Sequence, residues 1–545
     1  MNNQTLSVNR KIILITIILL GFILRTAYIN NSPPSLYGDE LTITLDAYSL
    51  LKTGHDQLGN LLPLTFQMGA GRPAGYVYLS VPFIAIFGPT ALGVRALSIL
   101  SGIGLILLLY LISKELFSEK AGLIAATFTS FSLWDISLSR GGFEAHLALF
   151  MAVLGTFLFI KVKNRPIFYL LSALCFGIAL HTYPTYKVSL IFFLPLLFMF
   201  VKGKMSFVTS KKYFIAGVVL LAFLGILSIS QTFFAGSENR FSQINIFSQQ
   251  KSKDLIEQKI NFERQITSLP QFVSNYFHNK GVEYGKVFIE NYLQNFSLDF
   301  LVLHGDRNPR HNMATIGELY LIDIFFIFVG VISYWSIKRR AILFLLFWIM
   351  LAPLPTAIVD LPHALRSAFM LPPLIILSAL GLSAILSKNN KRVLFIVGIL
   401  FIVEFVFFVQ KLYFLAPFEY NKFWSYPAKV TSELVMQDRK KYKYIFLSDE
   451  IDNIEFAYPV YARIKPMSVI TQNKNSFDIN GVKFKKFDNV YIGHIPTGDL
   501  QGFLGNLNGT YLYIGSMDTV KYLKNYQLIE GNDHTSILVK SESSI

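Results

Sequence analysis

The sequence predicts a polytopic α-helical membrane protein of about eleven transmembrane helices, followed by a small extracytoplasmic α/β domain. Three observations carry that expectation. The chain is 53% hydrophobic and only 15% charged, with a mean hydropathy of +0.46, whereas a soluble protein has roughly a quarter of its residues charged. Apolar runs of roughly twenty residues, the length that crosses the hydrocarbon core, recur from the N-terminus to residue 411. The tail beyond about residue 420 switches to short aromatic and β-branched runs between turn residues.

The apolar runs fall near 12–29, 91–112, 121–138, 143–161, 166–182, 185–201, 213–231, 318–337, 341–358, 367–387 and 392–411. The first follows MNNQTLSVNRK and is not followed by a small-x-small cleavage site. It is therefore expected to be an uncleaved span that also directs export. With Arg10 and Lys11 inside, every second loop is basic: Lys114 and Lys120; Lys161, Lys163 and Arg165; Lys202, Lys204, Lys211 and Lys212; Lys338, Arg339 and Arg340; Lys388, Lys391 and Arg392. Positive charge marks cytoplasmic loops, so the alternation predicts a multi-pass plasma-membrane protein, N-terminus in the cytoplasm and C-terminal domain outside. The net charge of +15 follows from those loops and needs no nucleic-acid partner. The lone Cys175 excludes an intrachain disulfide and a cysteine-based metal cluster.

Two outer loops are long, residues 30–90 and 232–317. The first contains GYVYLSVPFIAIFG, too short to span and expected as an interfacial helix. In the tail, YKYIFLS, FDNVYIGHI, GTYLYIGS and HTSILVK read as strands, and DNIEFAYPVYARI as a helix. The organisation expected is a membrane module over 1–411 and an α/β domain over 412–545.

This topology sorts the polar residues by side. Asp39, Glu40, Asp46, Arg72, Asp135, Arg140, Glu144, His146, His181, Tyr183, Lys187, His304, Asp306, Arg310, His311, His363 and Arg366 all fall on the outer side, and no histidine falls in an inner loop. Ionisable groups at span ends are costly and are usually kept for function. In SLWDISLSRGGFEAHLALF, Arg140 lies in a two-glycine turn before Glu144 and His146. It is suited to a phosphate, with an Arg–Glu pair closing a helical hairpin as the alternative. In ALHTYPTYKVSL, His181, Tyr183 and Lys187 flank a proline-broken turn, and Lys187 can bind a phosphate or snorkel to headgroups. DLPHALRSAF places His363 and Arg366 in a short loop, with Arg366 again placed for phosphate. LHGDRNPRHNMAT carries Asp306 and His311 and reads either as site or as solvated loop. Two histidines and a carboxylate would suit a divalent metal ion, but the spacing matches no closed zinc pattern, so no cofactor is assigned. No Walker A loop, G-x-S-x-G or dinucleotide fingerprint is present.

A transferase on the outer face has no nucleotide sugar available, so its donor must be carried by a lipid. Such chemistry needs a carboxylate to deprotonate the acceptor, cations for the departing phosphate, and an apolar groove for the prenyl tail. SLYGDELTITLDAYSL, with its Gly-Asp-Glu shortly after span one and an amphipathic helix behind, resembles the GT-C glycosyltransferases. Within them it is similar to the protein O-mannosyltransferase and lipid A aminoarabinose transferase branch. The resemblance covers roughly residues 10–411. It implies an inverting glycosyltransferase that moves a sugar from a polyprenyl-phosphate donor to a lipid, cell-wall glycan or protein. It also implies Asp39 as general base, with Glu40 orienting substrate or contacting a metal. Arg140, Lys187 and Arg366 are then expected at the donor phosphate. Glu144, His146, His181, Tyr183, Asp306, His311 and His363 are expected around the substrates. The competing reading is a transporter, flippase or surface-polysaccharide ligase handling lipid-linked sugars.

Overall fold

A computed structural model describes residues 3–66, 71–163, 165–202, 207–234, 245–247, 250–359, 362–388, 391–496, 498–516, 523, 527–529 and 538–542. Lys204 and the first half of the HTSILVK run lie outside them. Each apolar run becomes helix: α1 (Asn3–Thr26), then α2 (Gly38–Thr53) and α3 (Gly75–Phe87) in the first long loop, then α4 (Ala91–Leu116), α5 (Glu119–Phe131), α6 (Leu133–Ser139), α7 (Glu144–Ile160), α8 (Phe168–Leu180), α9 (Thr185–Val201) and α10 (Phe207–Phe234). Among the described residues, five helices are long and apolar enough to cross a membrane, or six with α5 and α6, which meet at a 56° bend. The helices α7, α8 and α9 are shorter, at 17, 13 and 17 residues. The runs at 318–337 and 341–358 form two helical segments within Leu321–Leu351, which meet at a kink where Lys338 leaves the helical conformation, and the second run ends in the short helix Leu354–Val359.

Leu321–Leu351 packs on Leu371–Ser387 with unusually close backbones. A Cβ on Gly381 would lie 1.9 Å from the Phe326 carbonyl oxygen, so only glycine permits the crossing.

The tail forms a seven-stranded mixed sheet. After a short hairpin of β1 (Thr65–Phe66) and β2 (Arg72–Pro73) in the first long loop come β3 (Tyr444–Ser448), β4 (Phe477–Ile479), β5 (Val482–Phe487), β6 (Val490–Gly493), β7 (Tyr511–Ser516), β8 (Gln527–Ile529) and β9 (Leu538–Glu542). The sheet order is β4-β5-β6-β3-β7-β9-β8, with β3 parallel to both β6 and β7. Alternation along the strands supplies two faces. Ile445, Leu447, Val490, Ile492, Leu512 and Ile514 share one hydrophobic cluster with Leu41, Ile43 and Leu45 of α2, while Phe446, Tyr491 and Tyr513 pack on Leu500 and Phe503 behind.

The sheet and the first long loop therefore share a core. Burying each large aliphatic chain of α2 contributes about 2 kcal/mol. Hydrogen bonds tie the same segments: Ser32 Oγ to Leu412 O (2.6 Å), Leu36 N to Tyr461 Oη (3.1 Å), Lys429 Nζ to Pro34 O (3.0 Å) and Ser35 Oγ to Trp424 O.

Candidate active site

Gly38 opens α2 after an extended Tyr37, which puts Asp39 and Glu40 in the first helical turn, where the helix dipole favours carboxylates. One helical step apart, the two side chains reach different surroundings. Glu40 is fully buried and pairs with Arg95 of α4 through both carboxylate oxygens, at 2.7 and 2.8 Å. It also accepts the Gly142 amide at 2.8 Å. The expected role of Glu40 at substrate or metal is thus corrected. Its oxygens are spent on Arg95 and on the turn before α7, so neither is free for substrate or metal.

Asp39 keeps 34% of its side chain exposed and meets Arg72 of β2 at 2.7 Å. The same guanidinium pairs through Nε with Glu144, the first residue of α7, at 2.6 Å, and donates to Thr42 Oγ1 at 3.0 Å. Burial acts to strip the Arg72 proton, but Glu144 and Asp39 outweigh it and hold the group charged. Two carboxylates 105 positions apart in the chain are thus joined by one buried cation.

The second cluster comes from the loop before Leu321–Leu351 and from His363. The Asp306 carboxylate accepts His311 Nδ1 at 3.0 Å and the Ala364 amide at 2.8 Å, and His363 Nδ1 lies 3.6 Å away. Burial would raise Asp306, but the His311 hydrogen bond and the two imidazoles bring it down to about 2. Burial, with His311 and Arg366 nearby, drives His363 well below its ordinary value, and its Nδ1 accepts the Leu365 amide at 3.2 Å. One ligand atom from each of Asp306, His311 and His363 falls within 4.8 Å of the others, a set chemically suited to a divalent cation.

Aromatic rings connect the clusters. His311 lies edge-on to Phe143 (6.2 Å), Phe143 contacts Tyr37 (6.0 Å), and Tyr37 precedes Gly38 and Asp39. Arg310 sits 5.6 Å over the Tyr37 ring. The His181 turn joins from the other side, since His181 O accepts the Gly75 amide at 2.8 Å, three residues beyond Arg72. Arg366 is partly exposed and makes no ion pair among the described residues.

Other expected site residues point elsewhere. Arg140 is fully buried, donates to the carbonyls of Leu24 (3.2 Å) and Ser32, and stacks 4.7 Å from the Tyr413 ring. It fastens the exit of α1 and is not free for a phosphate. His146 is also fully buried, 2.9 Å from Asp135, which pairs with Arg25. This interior network ties α1, α6 and α7 beneath the site. His181 and Lys187 reach the last turns of α10, at Leu224 O (3.1 Å) and Ser228 O (3.0 Å) respectively. Tyr183 packs against the helix core. Sequence reading gave no role to Arg25 or Arg95. Both were legible as arginines inside apolar runs, where an unpaired charge is expensive.

Residues 72–229 match the family described as dolichyl-phosphate-mannose-protein mannosyltransferase, a stretch that includes Arg72, Glu144, His181 and Lys187. The solved ArnT of Cupriavidus metallidurans in the apo state superposes with a TM-score of 0.55 at 10% identity, over 98% of both chains. ArnT bound to undecaprenyl phosphate gives 0.52 at 12% identity, over 99% of this chain and 98% of that one. The fold is GT-C. Archaeal AglB from Archaeoglobus fulgidus, in complex with an inhibitory peptide and a dolichol-phosphate, gives 0.48 at 14% identity over 83% of this chain. The chain spans only 63% of AglB's length. No curated protein matches the sequence. On this GT-C frame, Asp39, Arg72 and Glu144 stand where the first long loop meets α7, with the histidine cluster beside them.

Proposed function

We propose that this chain is an integral-membrane glycosyltransferase that moves a sugar from a polyprenyl-phosphate donor to an acceptor at the outer membrane surface. The single observation that carries the reading is Asp39: of the two adjacent carboxylates, it alone remains partly open, held by Arg72 and faced by Glu144. Asp39 removes the proton from the acceptor hydroxyl or amine. The acceptor atom bonds to the anomeric carbon, the carbon–oxygen bond to phosphate breaks, and the polyprenyl phosphate leaves with inversion at that carbon. Arg366 supplies charge to the departing phosphate. Asp306, His311 and His363 are the residues that would hold a divalent cation, which would supply further positive charge there.

Support comes from the match over 72–229 to a family whose description names a dolichyl-phosphate sugar, and from a fold shared with ArnT, which was solved with undecaprenyl phosphate. The test is transfer by the purified chain in proteoliposomes supplied with polyprenyl-phosphate hexoses. Asp39→Asn is expected to reduce transfer roughly a hundredfold or more while leaving membrane insertion intact, and full activity of that variant would overturn the proposal. Mass spectrometry of surface glycolipids and glycoproteins from a deletion strain identifies the acceptor.

A further inference from the structure

The tail sheet carries a cleft unconnected with the chemistry at Asp39. It lies at the carboxyl ends of β3 and β6 and has a volume of about 710 Å³, the size of a small-ligand site. Its position follows from the topology. The chain leaving β3 runs to one face of the sheet through the helices Ile454–Tyr461 and Pro466–Lys474, which pack with the α2 core. The chain leaving β6 runs to the opposite face through Leu500–Gly505 and enters β7 on the far side of β3. Adjacent parallel strands whose connections part in this way open a crevice at their carboxyl ends, where such sheets receive ligands.

The lining indicates the ligand class. Asp449, the first residue after β3, faces His494, the first after β6, with His494 Nδ1 3.2 Å from Asp449 Oδ1 and both side chains about half exposed (51% and 56%). Glu455 pairs with Lys485 at 2.6 Å in the same wall. Phosphate-binding sheets place a glycine-rich turn and free amides after the first strand. Here Asp449 puts a carboxylate at that point, and no glycine-rich turn follows β3. Carboxylates, lysines and the amides of Gln472 and Asn473 instead form the donor and acceptor set that pairs vicinal hydroxyls. Asn473 also donates to Gln57 O at 2.9 Å, so the cleft stands on the loop that follows α2.

We infer that this cleft is a carbohydrate-binding subsite. That its occupant is the acceptor glycan rests on the transferase reading above; sugar binding itself does not. The full chain in nanodiscs is titrated with chitotriose, mannotriose and maltotriose by saturation-transfer NMR, with ADP as a phosphate probe. Saccharide signals are expected in the unmodified chain and about tenfold weaker binding in Asp449→Ala/His494→Ala. Silence across the panel, binding unchanged in the double variant, or preference for ADP overturns the subsite. Asp39→Asn is expected to keep the saccharide signal, which separates this result from the fate of the transferase. In the transfer assay the double variant is expected to raise the acceptor KM at constant kcat, and an unchanged KM removes the acceptor role.

Discussion

Arg72 lies 2.7 Å from Asp39 and is itself almost wholly buried, so the partly open carboxylate of α2 is aimed from a strand residue behind it. Arg72 turns the same guanidinium to Glu144 at 2.6 Å, and a lysine has no planar fork with which to make both contacts. Arg72→Lys is expected to lower kcat/KM roughly a hundredfold through misplacement of Asp39, and Arg72→Met more. Steady-state transfer by variants matched for monodispersity checks this. Equal activity of the lysine variant refutes the aiming role.

Glu40 predicts a different phenotype from its neighbour. Removing it leaves Arg95 buried without its carboxylate, a loss of about 3–5 kcal/mol. Glu40→Ala is expected to unfold or fail to accumulate, whereas Asp39→Asn keeps the thermal midpoint of the parent. Thermal unfolding in detergent separates the two. A stable but inactive Glu40→Ala would return Glu40 to the chemistry.

The Asp306, His311 and His363 cluster is expected to bind zinc when the metal-stripped protein is titrated calorimetrically. His311→Ala/His363→Ala is expected to lose that heat. Two imidazole nitrogens and a carboxylate oxygen make an N/O set of the kind zinc takes. Binding that survives the double variant would place the metal elsewhere.

Asp46 gives a pH dependence of known sign. It is buried in α2, and burial raises its carboxyl from 3.8 to about 7, against a hydrogen bond from the Gln57 amide. The unfolded chain releases this proton near pH 4, the folded chain near 7. In between, the folded state holds more protons, and stability falls as pH rises, by up to about 1.4 kcal/mol per pH unit. Above 7 the contribution is flat. Thermal midpoints are expected to drop from pH 5 to pH 8, and Asp46→Asn is expected to flatten the fall. An identical slope in the variant would assign the effect to another group.

Much of this was legible in the sequence because lipid and sheet both impose strong periodic signals. Apolar length marked the helices at the long apolar runs, but not Gln250–Ile266 and Lys280–Gln294, whose sequences are too polar for that signal, and β-branched alternation marked β3, β6 and β7. The hairpin of β4 and β5 was missed, although Asn480-Gly481, both with positive φ, is the commonest two-residue turn signal. At the site, residue type was legible but direction was not. Arg140 and Asp39 look alike as polar residues near span ends. One helix turn decides which faces solvent and which is consumed by carbonyls inside. Arg72 was grouped with the other polar residues without a role, because pairing with Asp39 and Glu144 is a tertiary fact.

The bonds from Ser32, Ser35, Leu36 and Pro34 to Leu412, Trp424, Tyr461 and Lys429 have a bearing on biosynthesis. Translation delivers the Asp39 segment long before its anchors, which lie at least 380 residues further along the chain. The segment must wait for those downstream residues before it can settle. A ribosome-stalled or prematurely terminated product therefore carries the acidic pair without the geometry that organises it.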